Sequence, residues 1–174
     1  MSFKIWSSCF WLFVPILVWN AVFYKKLPEA YQKEDWDRIP KPLDMAETIL
    51  RVLLFAIPLL LTFETGNQLR LRTNVVGWSL YFGGMLVYFL AWLFEIYWPE
   101  TMWSKSRMGF MAPTYTSGLW LAGILLLSND TWHTGILLPV YTAAIVGFEF
   151  VHTLHSFLVL ANLNKDMQVQ GKNG

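Results

Sequence analysis

The feature that most constrains this chain is the recurrence of apolar runs about 20 residues long, set apart by short polar stretches. They cover residues 5–24, 46–63, 75–98, 108–128 and 134–163. A helix of that length spans about 30 Å, the thickness of a bilayer's hydrocarbon core, and a helix without a polar face needs hydrocarbon rather than water around it. The pattern predicts an all-α fold: an integral membrane five-helix bundle in which residues 1–174 make a single polytopic membrane domain. Composition agrees, because 55% of the 174 residues are hydrophobic and only 14% are charged, against about 25% charged in soluble domains.

The first run carries Trp11, Pro15, Trp19 and Asn20 and lacks the basic start and small-residue cleavage site of a secretory signal, so it is expected to remain as a helix. Orientation follows from the loops. Lys25, Lys26, Lys33, Arg38, Lys41, Lys105, Arg107, Lys165 and Lys172 fall on one side, and only Lys4, Arg70 and Arg72 on the other. By the positive-inside rule the N-terminus is outside and the C-terminus cytoplasmic. A net charge of +1 gives no field for nucleic acid. The expected partners are the lipid bilayer and a lipophilic small molecule. The single cysteine, Cys9, excludes an internal disulfide framework.

Local signals are structural. Pro15, Pro58, Pro113 and Pro139 lie inside or near the starts of the runs, where a missing amide can kink a helix. Gly77 and Gly84 at heptad spacing, and Ala143 with Gly147, suggest close helix contacts. Asp44 followed by Glu47 reads as an N-cap with its capping-box partner. Pro28 could start a short surface helix through Glu29, Tyr31 and Trp36.

Polar side chains at membrane depth are the functional clue, because each costs a few kcal/mol or more unless it meets a cavity or partner. Glu149, His152 and His155 stand at i, i+3 and i+6 on one flank of the fifth run. Asn20, Arg51 and Glu95 lie at compatible depth in the first three runs once the topology is applied. A cytoplasmic-side site follows, with Glu149 and His152 as an acid/base pair, Glu95 as a second carboxylate, and Arg51, His155 and Asn20 binding a lipid, isoprenoid or sterol-like ligand. Arg51 is also four residues after Glu47, the spacing of a helical salt bridge. Glu64, Asn67 and Gln68 form a second polar group, read as interfacial.

Two other functions are compatible with the same residues. One is a proton-coupled transporter or channel subunit, which with five spans and no inverted repeat would need an oligomer. The other is a metal- or haem-binding subunit. Glu149-x-x-His152 resembles half of a di-iron ligand set, but no second such motif exists in the chain, so no metal ligand is assigned and the cofactor is left open.

Overall fold

A computed structural model describes residues 5–27, 38–63, 71–130 and 135–173, with the side chains of 5, 71–73 and 164–173 set aside. The surface helix expected after Pro28 and the group of Glu64, Asn67 and Gln68 lie outside the described residues. The fold is mostly helical. The first segment opens with 3-10 turns at Ile5–Ser7 and Cys9–Phe13, continues as α1 (Val14–Phe23), and ends in a 3-10 turn at Tyr24–Lys26. Then come α2 (Lys41–Ala56), a 3-10 turn at Ile57–Leu59, β1 (Leu61–Phe63), α3 (Leu71–Tyr97), α4 (Arg107–Phe110), α5 (Ala112–Leu127), β2 (Ser128–Asp130) and α6 (Leu137–Asn173).

The prolines explain several of these boundaries. Pro15, Pro42 and Pro113 occupy the first turns of α1, α2 and α5, where an amide would have no intrahelical partner anyway. Pro58 cannot donate to the carbonyl of Leu54, and α2 gives way there to a 3-10 turn. The Pro58 carbonyl, at the end of the interrupted helix, accepts the Ser8 hydroxyl at 3.0 Å. Because α2 starts at Lys41 behind Pro40, with no side-chain cap, the expected Asp44–Glu47 capping box does not form. Asp44 sits in the first turn instead, where its charge suits the helix dipole.

Packing follows small residues. The helices α3 and α5 make the most extensive contact in the fold. A Cβ on Gly84 would lie 2.6 Å from the Trp120 backbone nitrogen, and one on Gly123 would lie 2.5 Å from that of Tyr81. Neither helix could approach so closely with any larger residue. The Ala143–Gly147 pair behaves differently from its expectation: Gly147 packs on Leu50, while Ala143 is exposed.

One core joins all five helical segments, including Phe13, Leu54, Tyr88, Trp120, Tyr141 and Phe148. A hydroxyl ties the first segment to α3, Tyr81 donating to the Leu12 carbonyl at 2.7 Å. One end of the bundle is clamped by β1 and β2, antiparallel with Thr62 opposite Asn129, and by a bridge from Thr62 to Ser8. At the other end a smaller apolar cluster forms around Ile39, Phe110 and Val159.

Among the described residues, two helical stretches are long and apolar enough to cross a membrane, Asn74–Tyr97 and Leu137–Leu163. The first, second and fourth predicted spans correspond to shorter α-helices extended by 3-10 turns or a short neighbouring helix, because Pro58 interrupts one and the others begin irregularly.

Candidate functional site

The site grows from two helix faces. On α2, residues 43, 47, 50 and 54 recur at i, i+4, i+7 and i+11 and so share one face. On α6, residues 148, 152, 155 and 159 do the same. Leu43, Leu50 and Leu54 pack into the two apolar clusters on one side, Phe148 and Val159 on the other. Glu47, His152 and His155 are thus the polar members of two apposed, otherwise apolar stripes.

Their pairing is mutual. Glu47 is only 2% exposed. Its Oε1 accepts from Arg51 Nη2 one helical turn away and lies 3.0 Å from His152 Nδ1. Its Oε2 pairs with Nδ1 of His155, itself 1% exposed. One buried carboxylate therefore fixes the orientation of a guanidinium and two imidazoles, an arrangement in which the buried charge is neutralised and hydrogen-bonded. Phe148 supports both: the His152 ring stacks on it at 5.0 Å, and the Arg51 guanidinium lies 6.0 Å above it.

A cavity of about 450 Å³ opens beside this cluster, bounded by the first segment, α2, α3, α5 and α6. Much of its wall is aromatic. Trp19 stacks on Phe89 at 4.4 Å, and Trp120 meets Phe13 edge-on at 5.6 Å and Tyr88 at 6.2 Å. Polar groups are few: Asn20, Arg51, Thr114, Ser117, His152 and Ser156. Two of these face each other, Thr114 Oγ1 and Ser156 Oγ at 2.9 Å.

Of the residues expected at one site, Arg51, His152 and Asn20 line this cavity, and His155 joins them through Glu47. Glu149 does not pair with His152 as expected. Its Oε1 accepts from Ser117 Oγ at 2.7 Å, and its carboxyl packs over Gly118 of α5. The reason is angular: at 100° per residue Glu149 stands about 90° round α6 from the stripe that faces α2. Glu95 is buried near the end of α3 but is not among the cavity's lining residues. Glu47 was missed as a site residue because a capping role accounted for it.

Ser117→Ala removes the hydroxyl that Glu149 uses. It is expected to cost about 1.5–3 kcal/mol, most of it absent in a Glu149→Ala background that lacks the acceptor. A double-mutant cycle on thermal unfolding measures that coupling, and additive effects would show that the contact contributes nothing.

Among the described residues no group of three or more His, Cys, Asp or Glu side chains could hold a metal ion. Compared with known protein families, with curated proteins and with solved structures, the chain matches none.

Proposed function

We propose that this chain is a five-span membrane protein whose internal cavity binds a lipophilic small molecule of the lipid, isoprenoid or sterol-like class, its head group held beside Arg51 and His152. The observation that carries the reading is the cavity itself: aromatic walls with one polar side that a buried carboxylate organises. Pockets of this size, mostly apolar with a few oriented polar groups, are the usual form of small-molecule sites.

Five spans are supported by exposure and by length. The membrane-length windows of α3 and α6 are only 28% and 33% buried, leaving Val75, Phe82, Leu86, Val146 and Phe150 on the outside, where water would penalise them and lipid would not. The remaining segments, 9–26, 41–59 and 107–127, each reach about 30 Å once their 3-10 or short helical extensions are included. The distribution of basic residues orients the bundle with its N-terminus outside and C-terminus in the cytoplasm. In that orientation the cavity, which reaches Tyr24 and Leu27, lies toward the cytoplasmic leaflet.

The head group is a neutral hydrogen-bonding one, a hydroxyl or carbonyl, since Glu47 already balances the Arg51 charge. Glu47 occupies Nδ1 of His152, which directs the other ring nitrogen to the ligand as acid, base or simple hydrogen-bond partner. Acid/base transformation of the ligand is the enzymatic form of the same proposal, with Glu47 in the place first expected for Glu149.

Protein purified in mild detergent is expected to carry a lipophile in near-equal molar amount, identified by solvent extraction and mass spectrometry. His152→Leu, checked for an unchanged melting profile, should lower its retention about tenfold, the equivalent of one hydrogen bond. Extracts that match bulk lipid, or equal retention by the variant, would contradict the proposal.

A further inference from the structure

The cavity wall next to His152 holds a pair of hydroxyls. Thr114 of α5 and Ser156 of α6 line the cavity and are 4% and 3% exposed. Their oxygens lie 2.9 Å apart, and either can donate. Other hydroxyls of α5 bond back to their own helix, Thr116 to the Ala112 carbonyl at 2.7 Å and Ser117 to that of Thr114. Among the described residues, Thr114 and Ser156 bond through their side chains only to each other. Two hydroxyls joined by one bond use one of their two hydrogens. The other is left to turn toward the cavity.

The same region holds an unspent acceptor. Glu47 pairs with Nδ1 of His152 at 3.0 Å and with Nδ1 of His155, and a carboxylate can only accept, so both nitrogens carry a hydrogen. Charge balance makes the imidazoles neutral: Glu47 already matches Arg51, and a further proton would leave unmatched positive charge beside an apolar cavity. A neutral imidazole protonated at Nδ1 presents a bare lone pair at Nε2. His152 and Ser156 are one turn apart on α6, which puts their Cβ atoms about 5–6 Å apart on one face. One oxygen placed between their polar ends reaches both at ordinary hydrogen-bond length.

We propose that the ligand's head group is an alcohol, whose hydroxyl donates to His152 Nε2 and accepts the spare hydrogen of the Thr114–Ser156 pair. The assignment rests on the cavity holding a lipophile and narrows the class of that lipophile. A ketone, aldehyde, ester or ether accepts from the pair but leaves Nε2 without a donor. An ammonium group donates to Nε2 but has nothing with which to accept. A hydroxyl satisfies both, and a binding site rejects an analogue that leaves one of its buried polar groups unpaired.

The test uses the whole chain in mild detergent and three probes that share one tail: farnesol, farnesal and farnesyl methyl ether. They are offered together in equal amounts, and the probe retained through gel filtration is quantified by mass spectrometry. Wild type should retain farnesol about tenfold over each of the others, the equivalent of one hydrogen bond. His152→Leu should bring farnesol down to the level of the other two. The double variant Thr114→Val with Ser156→Ala removes both halves of the pair and leaves neither unpaired. It should lower all three several-fold, since each accepts from the pair, and keep the preference for farnesol. The wild-type comparison stands even if a variant does not fold. Equal retention of the three by wild type would overturn the alcohol assignment and leave the lipophile-binding cavity standing, whereas retention of none would overturn both. A farnesol preference that survives in His152→Leu, or is lost in the double variant, would also overturn the assignment.

Discussion

Glu47→Ala is expected to destabilise the folded chain by about 3 kcal/mol. The substitution removes the one acceptor shared by Arg51, His152 and His155. Breaking a buried ion pair from one side costs about 3–5 kcal/mol, because the abandoned partner stays desolvated. Here the lower end applies, since the Arg51 side chain is 51% exposed and can turn to solvent or a headgroup. His155 has no such escape, and the vacated volume adds a cavity term. Glu47→Gln, which keeps the shape and one acceptor, should lose less. Arg51→Ala should lose least, near 1 kcal/mol, because both imidazoles still meet the carboxylate. Thermal unfolding in detergent, followed by tryptophan fluorescence, gives that order. An unchanged melting temperature in Glu47→Ala would show that the carboxylate does not tie α2 to α6.

The second large effect belongs to the α3–α5 contact. Gly84→Ala and Gly123→Ala each place a methyl group where backbone already stands, at 2.6 and 2.5 Å. A backbone neighbour cannot rotate aside as a side chain can, so the helices must separate, at about 2–3 kcal/mol for each substitution. The double variant should cost less than the sum, because one separation relieves both clashes. Gly83 supplies the control. Nothing lies within 4 Å of its would-be Cβ, and Gly83→Ala should be neutral or stabilise by up to about 1 kcal/mol through helix propensity. Equal effects at positions 83 and 84 would contradict the packing.

The helical segments were legible because their signal is long and one-dimensional: apolar runs survive any detail of packing. The site was only half legible. Arg51, His152 and Asn20 stood out as polar residues at depth, and depth alone brought them to one cavity. Glu149 and Glu95 met the same criterion yet do not line the cavity, Glu149 standing behind its Ser117 wall, because depth does not fix the angle around a helix. The angular information was present in the sequence. Residues 43, 47, 50 and 54, and 148, 152, 155 and 159, are two stripes in which only Glu47, His152 and His155 are polar, and matching them selects Glu47. What obscured it was a local reading of Asp44 and Glu47 as a cap, which Pro40 and Pro42 pre-empt by starting the helix earlier. The close approach at Gly84 was foreshadowed by its spacing from Gly77. Gly123 of α5 was not, since its five-residue spacing from Gly118 puts the two glycines on different faces of that helix.

The proposed five crossings around an internal cavity are tested most directly by side-specific labelling. Cys9 is buried and can stay in place while single cysteines are introduced at Met102 and Ile136, which are 92% and 64% exposed. In intact cells a membrane-impermeant maleimide should label the Ile136→Cys variant from outside and the Met102→Cys variant only after permeabilisation. Labelling of both from the same side would contradict the five-span arrangement.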